Sequence, residues 1–120
     1  MICTREEAVA ICLQFPFAYV DYPFDDTNWT VLRHQENKKI FAAIFEREGH
    51  IWINVKADPM WGDLWRRTWP SVLPAYHMNK QHWVSIILDG GVPDDEIRRL
   101  IGDSFQLTAP AQGKRHRAKR

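Results

Sequence analysis

The ten residues from Pro74 to Trp83 hold two imidazoles (His77, His82), a carboxamide (Asn79), an ammonium (Lys80) and two amphipathic rings (Tyr76, Trp83). Groups of these kinds grip a phosphate or carboxylate (Lys80, His77), hydrogen-bond a polar edge (Asn79) and stack on a planar ring (Tyr76, Trp83). Each also has an ordinary structural use. Asn79 can bond nearby backbone, Trp83 can belong to the core, and His77 can cap a loop. The residues alone leave the two readings open.

Bond-making chemistry has less support. No Gly-x-Ser-x-Gly, Gly-rich phosphate loop or His-Glu-x-x-His occurs in the chain. Cys3 or Cys12 as a nucleophile would need an activating base, and the helix that carries them supplies none. Zinc needs a tighter ligand set than His77 and His82 five residues apart, with His34 and His50 on other elements. Asp94, Asp95 and Glu96 fall in the first turn of a helix, where its dipole favours acids without any metal. No cofactor, metal or catalytic residue is expected.

These residues are placed by a readable series of elements. Thr4 and Glu7 have capping-box spacing before an apolar run, which predicts a helix over 5–14 ended by Pro16. Short strands follow at 17–21, 29–33, 40–46 and 50–56, with a tight hairpin at Arg47-Glu48-Gly49. In the 50–56 strand Ile51, Ile53 and Val55 alternate with Trp52, Asn54 and Lys56, predicting one core face and one partly wet face. Asp58-Pro59 reads as N-cap and first-turn proline of a helix over 59–68. Its Trp61, Trp65 and Trp69, with Leu64 alongside, make a stripe expected to pack on the sheet. Residues 71–81 read as an irregular connection into a last strand at 83–88, and Ile97, Leu100, Ile101 and Phe105 form the core stripe of a final helix over 93–105. The fold class is therefore α+β, with a mostly antiparallel sheet of four or five strands packed in two layers against helices.

At 120 residues the chain has the size of one domain, with a core large enough to need no disulfide. Two free cysteines and a charged N-terminus without signal-peptide layout point to the cytoplasm, and no apolar run is long enough to span a membrane. The net charge of +1 hides an asymmetry. Lys114, Arg115, Arg117, Lys119 and Arg120 crowd the last seven residues, while residues 1–113 carry eleven Lys and Arg against fifteen Asp and Glu. Residues 1–109 are expected to form the domain and 110–120 a disordered basic tail. Duplex-binding domains normally carry their positive footprint on the folded body, and this body is mildly acidic.

Tyr76-His77-Met78-Asn79-Lys80-Gln81-His82-Trp83, with Leu88-Asp89-Gly90 and Val92-Pro93-Asp94-Asp95-Glu96 after it, resembles the MmcQ/YjbR domain family. Asp21-Tyr22-Pro23-Phe24 and Asn54-Val55-Lys56-Ala57-Asp58-Pro59 are similar to its earlier landmarks in the same order. The resemblance covers roughly residues 4–108 and implies a CyaY-like or "double-wing" α+β domain of a kind labelled DNA-binding. It brings no established catalytic residues with it. The leading expectation is a non-enzymatic binding domain, with an enzyme using His77 as acid or base the weakest alternative. The expected surface is Lys56, Tyr76, His77, Asn79, Lys80, His82 and Trp83, with the basic tail adding phosphate attraction. The alternative is a monomeric module that binds a small anionic ligand or a protein on the same surface, without nucleic acid or membrane.

Overall fold

The computed structural model describes residues 1–111. The five basic tail residues expected to bind phosphate lie outside that range. Within it the chain runs α1 (Arg5–Cys12), β1 (Ala18–Asp21), β2 (Thr30–His34), β3 (Ile40–Arg47), β4 (His50–Lys56), α2 (Pro59–Thr68), β5 (Val72–Pro74), β6 (Trp83–Ile87) and α3 (Asp94–Thr108). The capping signals act as expected. Thr4 and Glu7 form the full capping box, and Asp58 accepts the Met60 amide ahead of Pro59.

The six strands of the described residues form one antiparallel sheet in the order β1-β2-β3-β4-β6-β5. The short β5, inside the stretch expected to be irregular, is the sixth strand. Three residues ending in a proline give little periodic signal, and the strand exists because Val72–Pro74 pairs with Val84–Ile86. Both edges, β1 and β5, are short, which limits pairing with other chains.

The three helices of the described residues bury one face of this sheet. Leu32, Ala42, Ile44, Ile53, Val55, Val84 and Ile86 share a core with Ile11 and Cys12 of α1, Trp65 of α2, and Ile97, Leu100, Ile101 and Phe105 of α3. Beyond the Ala42–Val55 pair the β3–β4 ladder stops, and α3 closes the gap. The Lys56 amide donates to Ser104 Oγ at 2.8 Å, and that hydroxyl donates to the Phe41 carbonyl at 2.6 Å. Ser104 is fully buried, so a helix side chain satisfies two backbone groups that the strands no longer satisfy for each other.

Two expectations change. The face of β4 expected to be partly wet is closed, because Trp52 and Asn54 are both buried. The tryptophan stripe of α2 is also narrower than its spacing implies. Trp65 is in the core and Trp69 packs against it, whereas Trp61 is 53% and Leu64 48% exposed. The cause is position, since α2 lies over β5 and β6 at one side of the sheet. It approaches there through Gly62, where an added Cβ would stand 3.4 Å from Ala57 Cβ and Val84 Cγ1.

The two exposures separate two tryptophans that sequence spacing treats alike. Trp65→Ala should destabilise the domain by about 3–5 kcal/mol, and Trp61→Ala by no more than about 0.5 kcal/mol. Urea denaturation of both variants checks this, and equal effects would restore the wider stripe.

Candidate functional site

The sheet face away from the helices carries Val31, Ala43, Asn54 and Ser85 in one row and Phe45 and Trp52 in the next. All six are buried, although no helix of the described residues covers them. Two loops do. Loop 75–82 is held by a buried polar clasp. Asn54 Nδ2 donates to the Tyr76 carbonyl at 2.8 Å, the Tyr76 amide donates to Ser85 Oγ at 2.9 Å, and Ser85 Oγ donates in turn to Asn54 Oδ1. Further along, Lys80 Nζ donates to the Ala75 carbonyl at 2.8 Å. Asn79 Oδ1 accepts the amides of Gln81 and His82, and the His82 carbonyl accepts the Ala57 amide at 2.9 Å.

The second cover is loop 22–29, anchored through Asn28. Its side chain continues the β3 ladder, donating to the Glu46 carbonyl at 2.9 Å and accepting the Glu46 amide at 2.8 Å. The Arg5 guanidinium binds the Asn28 carbonyl at 2.7 Å, Asn28 Oδ1, Thr30 Oγ1 and the Ile44 carbonyl. With Asn28 fixed, Trp29 lies flat on Phe45, with ring centroids 4.2 Å apart. Tyr76 packs on Phe45 from the other loop at 5.5 Å, with its ring parallel to that of Trp29. The Arg47 guanidinium sits over Tyr76 at 4.5 Å and over Trp52 at 5.0 Å.

Between the loops lies a cavity of about 290 Å³ lined by Phe24, Asp26, Trp29, Val31, Ile40, Ala43, His77 and Met78. Phe24 meets Trp29 edge-on at 80°, so the two rings form a right-angled corner. His77 stands 6.3 Å from Trp29 and 4.1 Å from Tyr76 with its backbone at φ 62. That left-handed conformation is uncommon outside glycine, and is held here by the clasp on one side and the Asn79 turn on the other. Sites of this composition, apolar walls with a few polar groups, are the usual form of small-ligand pockets.

The residues expected to act together are therefore divided. His77 lines the cavity and Tyr76 supports it. Asn79 and Lys80 spend their polar groups inside the loop, which is the structural use that Asn79 had open to it from the start. Lys56, His82 and Trp83 do not line it. Phe24, Asp26, Trp29 and Met78 do, and none of the four is among the residues the sequence marks as the expected binding surface. Two large rings within six residues of a turn are the available signal, since loops rarely spend such residues without covering something.

Cys12 is buried in the core, and burial pushes its thiol up to about 12, away from nucleophilic use. Cys3 is exposed against Glu7. Asp94 accepts the Ile2 amide at 2.9 Å and pairs with the N-terminal amine, so it serves the chain itself. Among the described residues no three His, Cys, Asp or Glu side chains are grouped to hold a metal, and no helix is long and apolar enough to cross a membrane.

Comparison with known proteins agrees with this architecture. A family model described as YjbR matches residues 13–107. YbdF of Escherichia coli O157:H7 is 34% identical, the match covering 92% of this chain and 88% of that protein. YyaQ of Bacillus subtilis strain 168 is 39% identical over 73% of this chain and 83% of its own length. The crystal structure of a Deinococcus radiodurans protein with a DUF419 domain superposes with a TM-score of 0.82 at 28% identity, covering 92% of this chain and 81% of that one. A Pseudomonas syringae protein superposes at 0.79 with 29% identity, over 88% of this chain and 99% of its own.

The clasp and the lysine can be separated by mutation. Asn54→Ala leaves the half-buried Tyr76 carbonyl and the buried Ser85 hydroxyl without their partner and should destabilise the domain by about 1–3 kcal/mol. Lys80→Ala should remove only about 1 kcal/mol, because its hydrogen bond is more exposed. Thermal melts of both variants test the order, and an Asn54 variant as stable as the parent would remove the clasp from its supporting role.

Proposed function

The chain belongs to the YjbR family, and from that premise we propose that it is a non-enzymatic binding domain whose site is the cavity on the helix-free face of the sheet. The observation that carries the reading is the convergence of Phe24, Trp29, His77 and Met78, from two loops far apart in sequence, around open space on a rigid floor. A loop tip that needed only to close the sheet would fill that space. The strained backbone of His77 supports the same reading, because it holds an imidazole at the lip of the cavity where a glycine would be easier.

The test is a screen of small ring-bearing fragments by amide chemical-shift mapping. Shifts are expected on Asp26, Trp29, Ala43 and His77. His77→Gly should weaken them while changing stability by no more than about 1 kcal/mol, since relief of backbone strain offsets the entropy of glycine. Shifts confined to other surfaces would overturn the assignment.

DNA binding is the second reading, favoured by one observation, the five cations and no acid in the last seven residues. In this reading the tail neutralises the phosphates and the folded body, net −4 over residues 1–111, does not. Duplex titrations of the full chain and of a chain lacking residues 110–120, at two salt concentrations, decide it. Truncation should weaken binding and lower the salt slope by about one for each phosphate that the tail had neutralised. Unchanged affinity and slope would show that the tail takes no part in binding the duplex.

A further inference from the structure

We infer that the cavity recognises a small organic cation, an alkylated ammonium or a protonated amine. The inference rests on the binding reading above and adds the sign of the ligand's charge. Three observations carry it. First, the cavity is lined by one carboxylate, Asp26, and by no lysine or arginine. Asp26 Oδ1 accepts the Asn28 amide at 2.9 Å, and no other hydrogen bond involves this carboxylate among the described residues. An anionic ligand would meet that acid with no lysine or arginine in the lining to offset it.

Second, the corner made by Phe24 and Trp29 presents two ring surfaces at 80° to one another. Ring faces carry negative quadrupole density, and two rings at an angle surround a rounded cation better than they stack on a flat molecule. Trp29 is fixed for this use by its stacking on Phe45 and by the anchoring of Asn28.

Third, the same ring cluster already holds a cation of the protein. Arg47 lies over Tyr76 and Trp52, and Tyr76 is parallel to Trp29 across the cluster. Three further cations are engaged elsewhere. Arg33 pairs with Asp21 at 2.8 Å and donates to the Lys38 carbonyl, Lys38 lies over Tyr19, and Lys80 is bound to the Ala75 carbonyl. No lysine or arginine of the described residues lines the corner between Phe24 and Trp29.

The experiment is an amide chemical-shift titration of the full chain with choline and with its uncharged isostere 3,3-dimethylbutan-1-ol. Choline should bind about three- to thirty-fold more tightly, the range expected of a cation on aromatic faces. Asp26→Asn and Phe24→Leu should each shrink that ratio while leaving the melting temperature near the parent's, since both side chains are exposed. Equal affinity for the two probes would overturn the cation inference and leave the binding reading standing. Choline shifts that lie outside the cavity, or that both variants leave unchanged, would also overturn it. Failure of both probes and of neutral ring fragments to move any cavity amide would end the two readings together.

Discussion

A primary carboxamide sits at the centre of this sheet with no access to water. Asn54 lies on β4 with a strand on either side, and its 0% exposure means that its donors and acceptor must be met by protein. Ser85 on the adjacent strand supplies one partner and the Tyr76 backbone the other. An amide left unpaired there would cost about 1–3 kcal/mol, a sizeable share of the stability of a domain this small. Loop 75–82 consequently cannot lift without exposing that deficit. The second loop is tied down in the same manner, with the Asn28 side chain pairing with Glu46 of β3 as one more residue of β2 would and Arg5 of α1 binding it as well.

The arrangement solves a problem set by the topology. The three described helices cover one face of a six-stranded sheet, and the other face still presents Val31, Ala43, Phe45 and Trp52. Loops cover apolar surface less completely than helices, because their own backbone groups need partners. Here polar side chains satisfy the loop backbones and aromatic rings do the covering. The space that remains between the rings is the cavity. Binding and folding thus draw on one set of residues, with Trp29 and Tyr76 closing the sheet from one side and shaping a site on the other.

Much of the fold is legible in the sequence because its signals are local. Thr4 with Glu7, and Asp58 with Pro59, mark helix starts through interactions within four residues, and the alternation of β4 follows from strand geometry. The parts that are not legible depend on partners distant in the chain. Nothing near Asn54 shows that its face is covered, since its cover comes from Tyr76, 22 residues away. Lys80 reads as a ligand group because its use, the Ala75 carbonyl, emerges only when the loop is folded. Trp61 and Trp65 have the same spacing signal and opposite fates, decided by where α2 meets the sheet. Phe24 and Asp26 are hidden within a turn whose chemistry belongs to a cavity that another loop completes.

Ser104 links the layers more tightly than apolar packing would. Its hydroxyl receives an amide of β4 and donates to a carbonyl of β3, so two central strands share a hydrogen-bonding partner on α3. Opening of that helix by local fluctuation would leave the Lys56 amide unbonded on a central strand. Exchange of that proton with solvent should therefore report on detachment of α3 rather than on fraying of the strand. The last helix and the central hairpin should then open together, with partial unfolding expected first in elements outside them, such as the edge strands β1 and β5.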